Sequence, residues 1–231
     1  MKVTGDNIFT IAMSGKGMNA FQSFPVVVGG GGGCASILGT NTQIGSGTNF
    51  EDSYGPYNFW YRYSVWHGVY SASELGNVAR QITGLQFYMD SPGYGTYIAE
   101  DMIIHVAHTT ESTTSSNLRT DLSIATGTWN YFDRVTVFPL QDWTIPSPTV
   151  DGWKQVDFDT TFCYNGTDNI VITVEKKLGT YISTRPKWRY HTASGFTSWF
   201  FENDSVGSSY YPNVPKFGST TNLKPDIKIL Y

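Results

Sequence analysis

Apolar and polar residues alternate along most of the chain after residue 33, and a period of two residues predicts β-strands. Residues 59–70 are rich in aromatic and β-branched side chains. Residues 81–89 place Leu85 and Phe87 on one face. Further strands are predicted at residues 101–108, 134–140 and 152–159 and in the stretches KWRYH, SWFFE and DIKIL. Gly, Pro, Asn and Ser turns separate these strands, which is typical of a β-sandwich or a jelly roll.

Two stretches depart from this alternation. Residues 169–175, with the sequence NIVITVE, are apolar nearly throughout, which predicts a central strand covered on both faces. Residues 71–80 are the one helix-like piece, with Ser73 as a candidate N-cap. Gly76 and Asn77 lower the helix propensity of this piece, so any helix here is expected to be short.

A run of five glycines precedes the strand pattern and follows the stretch FQSFPVVV. A glycine run has no side chains to bury and loses the most entropy on ordering, so we expect a flexible hinge. The apolar residues before it are too few to enclose a core of their own and must bury against another surface. We therefore expect an extended arm and hinge over residues 1–33 and a jelly-roll β-sandwich over residues 34–231. The alternative is a first strand of the same domain followed by a mobile loop.

The expected anchoring and hinge residues follow from this division. The arm contacts are predicted at Ile8, Phe9, Ile11, Phe21, Phe24, Val26, Val27 and Val28. The hinge residues are Gly29, Gly30, Gly31, Gly32 and Gly33.

The composition excludes several classes of partner. Charged residues make up only 15% of the 231 residues, aromatic residues 16%, and the formal net charge is −4. Without clustered Lys and Arg we expect no nucleic-acid partner, and the short basic stretch RPKWRY indicates an edge strand or surface. No window approaches the ~20 apolar residues of a membrane span, so we expect no membrane insertion. Thr10 interrupts the one apolar stretch near the start, which argues against a secretory signal.

The chain contains two cysteines, Cys34 and Cys163. A small secreted domain held together by disulfides would have more of them. Two buried free thiols are therefore expected, with one bridge as the alternative.

The motifs of common catalytic sites are absent from the sequence: G-x-S-x-G, H-E-x-x-H and the P-loop. His105 and His108 are three residues apart, which on a strand points them to opposite faces and excludes a paired metal site. Asp157 and Asp159 share a strand face; paired carboxylates can hydrolyse glycosides, but a solvated surface is the simpler interpretation. We expect no enzymatic activity, no metal and no cofactor, with a single structural calcium in the loops as the alternative.

Exposed aromatic side chains are better candidates, because sugars stack on Trp and Tyr rings while nearby polar groups bind their hydroxyls. The first long strand offers Trp60, Tyr61, Tyr63 and Trp66. Trp66 shares a face with an arginine and a serine and is therefore expected to be exposed. The ligand-binding residues predicted are Trp66, Trp188, Tyr210 and Tyr211. A role in the core or in a subunit contact is the alternative for each.

Two stretches resemble the jelly-roll adhesin-type domains of Bacteroidetes surface proteins. Residues 82–116 are similar to a segment with an I-x-x-I-x-F-Y strand, a loop and an apolar strand ending in G-H-T, with Ala107 in place of the glycine. Residues 151–175 resemble the stretch G-W-x-x-I-x-L-D-x-P-F-x-Y-D-G-x-x-N-L-V-V, with Thr161 for the proline and Asn165 for the aspartate. The matching residues there are Trp153, Asp159, Phe162, Tyr164, Gly166, Asn169 and Val171. The stretch KPDIKIL resembles the closing strand.

The resemblance covers residues 39–231 and implies a jelly roll that binds glycans or proteins outside a cell. It transfers no binding residue. Combined with the absence of an export signal, it favours a structural protein of a Bacteroidetes phage, including the crAss-like group: a head fibre, a decoration protein or a tail-associated protein. Such a protein is made in the host cytoplasm and carried in the virion. The expected partners are a capsid or tail protein, further copies of the chain and a host surface glycan. The alternative is an adhesin or carbohydrate-binding module of a bacterial cell surface.

Overall fold

The computed structural model describes residues 34, 40–93, 95–114, 131–177, 180–204 and 218–231, with only the backbone at 131–132. The predicted arm and hinge, residues 1–33, lie outside this part of the chain. The described residues contain thirteen strands and no helix. The strands are β1 Asn41–Ile44, β2 Asn49–Glu51, β3 Tyr63–Tyr70, β4 Arg80–Asp90, β5 Ile98–Thr109, β6 Tyr131–Thr144, β7 Gly152–Tyr164, β8 Asn169–Lys176, β9 Lys187–Thr192, β10 Ser198–Asn203, β11 Ser219–Thr221, β12 Leu223–Pro225 and β13 Ile227–Leu230.

The strands form two antiparallel sheets that pack face to face. One sheet has the order β1-β13-β4-β9-β12, with β7 also paired to β4 and β2 also paired to β9. The other has the order β11-β10-β3-β8-β5-β6. The chain crosses between the sheets from β3 to β4 to β5, and again from β6 to β7 to β8. The eight strands β1-β13-β4-β7 and β3-β8-β5-β6 thereby form a jelly roll, with β2 inserted after β1 and with β9, β10, β11 and β12 inserted before β13. The predicted fold is confirmed.

The core lies between the two sheets and is built from the faces that the alternation identifies. Leu85 and Phe87 of β4 are fully buried, and they belong to the same cluster as Ile104 and Val106 of β5. Burying each such side chain away from water contributes about 1.5–3 kcal/mol to the stability of the fold.

Strand β8 is covered on both faces, as its nearly continuous apolar sequence predicts. It pairs with β3 on one side and with β5 on the other. Ile172 and Val174 face the core between the sheets. Val171 and Thr173 point the other way and are also buried. The outer face of this sheet is therefore shielded from water at its centre.

The predicted short helix at residues 71–80 is a turn. The Leu75 amide donates to the Ser71 carbonyl at 3.1 Å and the Gly76 amide to the Ser73 carbonyl at 3.2 Å. Gly76 and Asn77 then adopt positive φ angles of 83° and 53°. This left-handed backbone ends helical hydrogen bonding after one turn.

Cys34 and Cys163 form a disulfide, so the expectation of two buried free thiols is wrong. Their Cα atoms are 5.6 Å apart, within the usual range for a disulfide. Cys163 lies on β7 between two inward-facing rings, Phe162 and Tyr164, and therefore points to the outer face. The two cysteines are 129 residues apart in sequence, and this spacing does not predict that they pair.

The sandwich has two distinct ends. At the end that we call the disulfide end, Cys163 pairs with Gln81, close to the turn that follows β3. At the opposite end, which we call the aromatic end, β3 and β9 begin and β4, β8 and β10 finish. β3 has eight residues and extends from one end to the other, a length of roughly 25 Å.

Candidate functional site

Two of the predicted ligand-binding residues, Trp66 and Trp188, are core residues, so that prediction is wrong for both. They are 2% and 1% exposed. Trp66 belongs to the core between the sheets. Of the two polar residues that suggested a solvated face, Arg62 precedes β3 and Ser64 is itself buried. The Trp188 indole N–H donates to the Tyr57 carbonyl at 2.7 Å, which satisfies its polar atom inside the core.

The remaining aromatic candidates differ in position. Tyr210 and Tyr211 lie outside the described residues, so their role stays a prediction. Tyr61 and Tyr63 are half-buried. Trp60 lies in the loop between β2 and β3 and is 38% exposed.

Trp60 is half of an exposed aromatic pair at the aromatic end. Its partner is Tyr181, which is 62% exposed and lies in the loop between β8 and β9. The two ring centroids are 5.9 Å apart and the rings are inclined at 69°. The Arg185 guanidinium lies 4.4 Å from the centroid of the Trp60 ring. Together with Asp52, Asn58 and Glu202, described next, these three residues form what we call the aromatic site.

Asn58 and Lys176 hold the two loops of the aromatic site in place. The Trp60 backbone N–H donates to the Asn58 side-chain carbonyl at 2.7 Å, and the Asn58 backbone N–H donates to the Ser64 hydroxyl at 3.4 Å. The Lys176 ammonium donates to the Asn58 carbonyl at 3.3 Å and to the Thr180 carbonyl at 3.2 Å, which joins one loop to the other. Burial lowers the pKa of Lys176 to about 8.

Asp52 forms an ion pair with Arg185 and so holds the Arg185 guanidinium against the Trp60 ring. Asp52 is buried, which by itself raises the pKa of its carboxyl. Hydrogen bonds with Glu51 and Arg185 outweigh burial, so the pKa of Asp52 is lowered. Asp52 therefore remains a carboxylate and orients Arg185 under Trp60.

Glu202 differs from Asp52 in its charge behaviour. It lies at the end of β10 and accepts a hydrogen bond from the Asn58 amide group and one from the Ser53 hydroxyl, the latter at 3.5 Å. Burial raises the pKa of Glu202 to about 7; the hydrogen bond from Asn58 opposes this shift and the charge of Asp52 adds to it. The aromatic site therefore contains a carboxyl that changes its charge near neutral pH.

The aromatic site combines the groups that a sugar-binding surface needs. The partly exposed rings of Trp60 and Tyr181 lie beside the Arg185 guanidinium, whereas Asn58 and Asp52 are buried and bonded to their neighbours. The rings provide surfaces for the C–H faces of a sugar, and the Arg185 guanidinium beside them can donate hydrogen bonds to its hydroxyls. The signal for Trp60 was its place among the strand aromatics, and Arg185 begins the basic stretch RPKWRY that was expected on an edge strand or surface. No pattern pointed to Tyr181.

The other chemical candidates occupy separate places. Asp157 and Asp159 are exposed on the outer face of β7, where they accept hydrogen bonds from Gln155 at 2.6 Å and Gln141 at 2.8 Å.

The histidines of β5 point to opposite faces, as predicted. His105 contacts the Thr136 hydroxyl at 3.0 Å on the outer face, whereas the His108 ring packs against Tyr164 at 5.8 Å. Within the described part of the chain, no three His, Cys, Asp or Glu side chains form a group that could hold a metal ion.

The sequence matches no protein-family model, and no curated protein is similar to it. The described residues also contain no helix long and apolar enough to cross a membrane. The function must therefore be argued from the jelly roll and the aromatic site.

Proposed function

We propose that this protein is a non-enzymatic structural component of a phage particle whose jelly roll binds host surface glycans at the aromatic site. Its place on the particle is that of a head fibre, a decoration protein or a tail-associated protein. The observation that carries this proposal is the arrangement of the two ends. Cys34 is bonded to Cys163 at the disulfide end, whereas Trp60 and Tyr181 lie at the aromatic end.

This arrangement suits a domain that is attached at one end and binds at the other. Residues 1–33 precede Cys34 in the chain, so they join the domain at the disulfide end. The aromatic site is then roughly 25 Å from the point of attachment, which is the length of β3. In the proposal, residues 1–33 bind a capsid or tail protein, and the five glycines allow the domain to reorient. Several copies assemble as a homo-oligomer, which multiplies weak glycan contacts.

The disulfide favours a second candidate function, an adhesin or carbohydrate-binding module on a bacterial surface. Disulfides form and persist in oxidising compartments, and they are rare in the cytosol, where a virion protein is made. In the proposed function the bond between Cys34 and Cys163 forms only after lysis. Thiol labelling and mass spectrometry of the protein before and after lysis of infected cells tests this order. A protein that is exported and oxidised without any phage infection supports the second candidate.

The proposed ligand is tested by applying the full chain to an array of bacterial surface glycans. We expect binding that Trp60→Ala and Tyr181→Ala each weaken at least tenfold, because each removes one stacking surface. Val150→Ala is the matched control, since Val150 is also an exposed apolar residue but lies outside the aromatic site. Trp188→Ala is unsuitable as a binding test because it removes a core side chain.

Three results contradict parts of the proposal. If neither Trp60→Ala nor Tyr181→Ala changes glycan binding, the aromatic site is not the glycan site. If the protein cleaves a bound glycan, and Glu202→Gln or Asp52→Asn abolishes this cleavage, the protein is an enzyme and not only a binding protein. Incorporation into particles after deletion of residues 1–33 excludes the arm as the attachment.

A further inference from the structure

The outer face of the sheet that contains β7, β4 and β13 carries a polar row and an aromatic pair side by side. The row crosses the three strands in register and consists of Gln155 of β7, Gln86 of β4 and Lys228 of β13. Gln155 is exposed and the other two are half-buried, so all three side chains reach solvent. Neighbouring strands lie about 4.8 Å apart, so the row is roughly 10 Å long.

The aromatic pair consists of Tyr88 and Trp153, which lie opposite each other on β4 and β7. Their ring centroids are 5.4 Å apart. The Lys228 ammonium lies 4.5 Å from the centroid of the Trp153 ring, and the Arg189 guanidinium lies 3.7 Å from that of the Tyr88 ring. Both rings and both cations are half-buried and therefore partly accessible. We call this surface the cationic face, and its residues are Gln86, Tyr88, Trp153, Gln155, Arg189 and Lys228.

The two cations of the cationic face differ in how their charge is balanced. The Arg189 guanidinium donates to the buried Asp226 carboxylate at 2.6 Å. The Lys228 ammonium contacts the Trp153 ring, and within the part of the chain that the structure describes it makes no hydrogen bond or ion pair. Lys228 therefore presents an uncompensated positive charge to solvent, on a protein whose formal net charge is −4.

The Trp153 ring brings the two cations close together. The Arg189 guanidinium is 5.3 Å from the centroid of this ring and the Lys228 ammonium is 4.5 Å from it, so the two cations lie within about 10 Å of each other. Like charges at this distance repel each other, because they are no farther apart than the screening length of physiological salt. An anion bound beside the ring attracts both cations and offsets their repulsion. The charge of the face is therefore complementary to an anionic group.

We propose that the cationic face is a second binding site, which takes an acidic glycan whose sugars carry carboxylates, as uronic acids do. The Lys228 ammonium and the N–H groups of Arg189 that do not contact Asp226 bind the carboxylate through charge-assisted hydrogen bonds. The Gln86 amide group donates to the Gln155 side-chain carbonyl at 2.8 Å, and the remaining amide groups of this row bind the sugar hydroxyls.

A nucleic acid fits the cationic face less well than an acidic glycan. Nucleic-acid affinity comes from several phosphate contacts, whereas this face offers two cations, one of which is already paired. The amides beside Lys228 suit a ligand in which hydroxyls accompany each charge. The cationic face shares no residue with the aromatic site, and the inference does not depend on the proposed function.

The test uses isothermal titration calorimetry on the full chain with oligomers of galacturonic acid, mannuronic acid and hyaluronan as probes. We expect at least one of them to bind, and to bind more weakly at high salt, because ions screen exposed charges. The methyl esters of the same oligomers keep the sugar rings and remove the charge. We expect the esters not to bind.

Substitutions of Lys228 identify the site. Lys228→Gln should weaken binding roughly tenfold or more, because it removes a charge-assisted hydrogen bond, and Lys228→Arg should retain most of it. Lys187→Gln is the matched control, since it changes the net charge equally at an exposed lysine that stands opposite Asp90. Lys228→Gln removes no described hydrogen bond, so we expect it to fold. Arg189→Gln is unsuitable because it leaves the buried Asp226 without its guanidinium partner.

Several outcomes overturn the proposal. These are the absence of binding by every acidic oligomer, equal binding of the methyl esters, unchanged binding by Lys228→Gln, and an equal loss with Lys187→Gln. A single-stranded oligonucleotide that binds more tightly than every glycan assigns the face to nucleic acid instead. An acidic glycan that is lost with Trp60→Ala and retained with Lys228→Gln belongs to the aromatic site. The opposite result supports the cationic face whether or not the proposed function is correct.

Discussion

At the scale of single residues, position rather than residue type decides what a tryptophan does here. Trp188 packs against Phe59 at 6.3 Å and Phe87 at 6.1 Å, and its N–H is satisfied inside the core. Trp60 lies in a loop, where Tyr181 meets it edge to face, Arg185 lies against its ring, and 38% of its surface stays exposed. Composition shows that the chain has many aromatic rings, but only the fold shows which of them reach solvent.

The carboxyl of Glu202 is expected to make stability depend on pH. Burial raises its pKa from 4.5 to about 7 in the folded chain. A raised carboxyl pKa stabilises the fold fully below pH 4.5, and this contribution is lost as the pH rises to about 7. We expect a loss of roughly 2 kcal/mol over that window, measured by urea unfolding at a series of pH values.

The matched variant is Glu202→Gln, which resembles the neutral carboxyl and can still accept the hydrogen bond from Asn58. Its stability should vary less between pH 4.5 and 7 than that of the natural chain, and the difference is the contribution of Glu202. Equal pH profiles for the two proteins would show that Glu202 ionises normally and is not desolvated.

At the scale of strands, alternation identifies which residues share a face but not which faces are covered. His67, Thr173 and His105 follow one another across β3, β8 and β5 in register and are all buried on the outer face of their sheet. Burial lowers the pKa of His67 to about 3. Polar residues in a strand normally indicate a solvated face, which is why the sequence assigned Trp66 to the wrong side. For β8 the apolar run itself revealed the burial on both faces.

The disulfide is expected to stabilise the domain, because it closes a loop of 129 residues in sequence. Removing it should lower the free energy of unfolding by about 2–4 kcal/mol through the greater entropy of the unfolded chain. Urea unfolding with and without reductant measures this change. Cys163→Ser should match the reduced natural chain and should not respond to reductant. An unfolding midpoint that reductant leaves unchanged would show that the bond does not constrain the chain.

At the scale of the whole molecule, the jelly roll brings together segments that are distant in sequence. The loops with Trp60 and Tyr181 meet because β3 and β8 are antiparallel neighbours, with Ser64 opposite Lys176. The fold class could be predicted from the sequence because it depends on the number and spacing of strands. The aromatic site could not, because loop residues follow no period and their proximity is set by strand order.

The division of the chain at residue 33 leads to a last prediction. The buried core residues in the described part of the chain begin at Ile44, and Cys34 is fixed to β7 by a covalent bond. Deleting residues 1–33 should therefore leave the thermal midpoint within about 2–4 °C of the full chain, which corresponds to about 1 kcal/mol for a domain of this size. Glycan binding at the aromatic site should also be unchanged.

The contrary result has a definite meaning. If residues 1–33 supply an inner strand of the sandwich, their deletion exposes the apolar surface that this strand covers and lowers the midpoint well beyond that interval. A matched substitution of Phe24 and Val27 by serine in the full chain separates the two cases, because it removes apolar side chains without shortening the chain. An arm that binds elsewhere tolerates these changes in the isolated protein and loses only its partner, whereas an inner strand loses the stability of the fold.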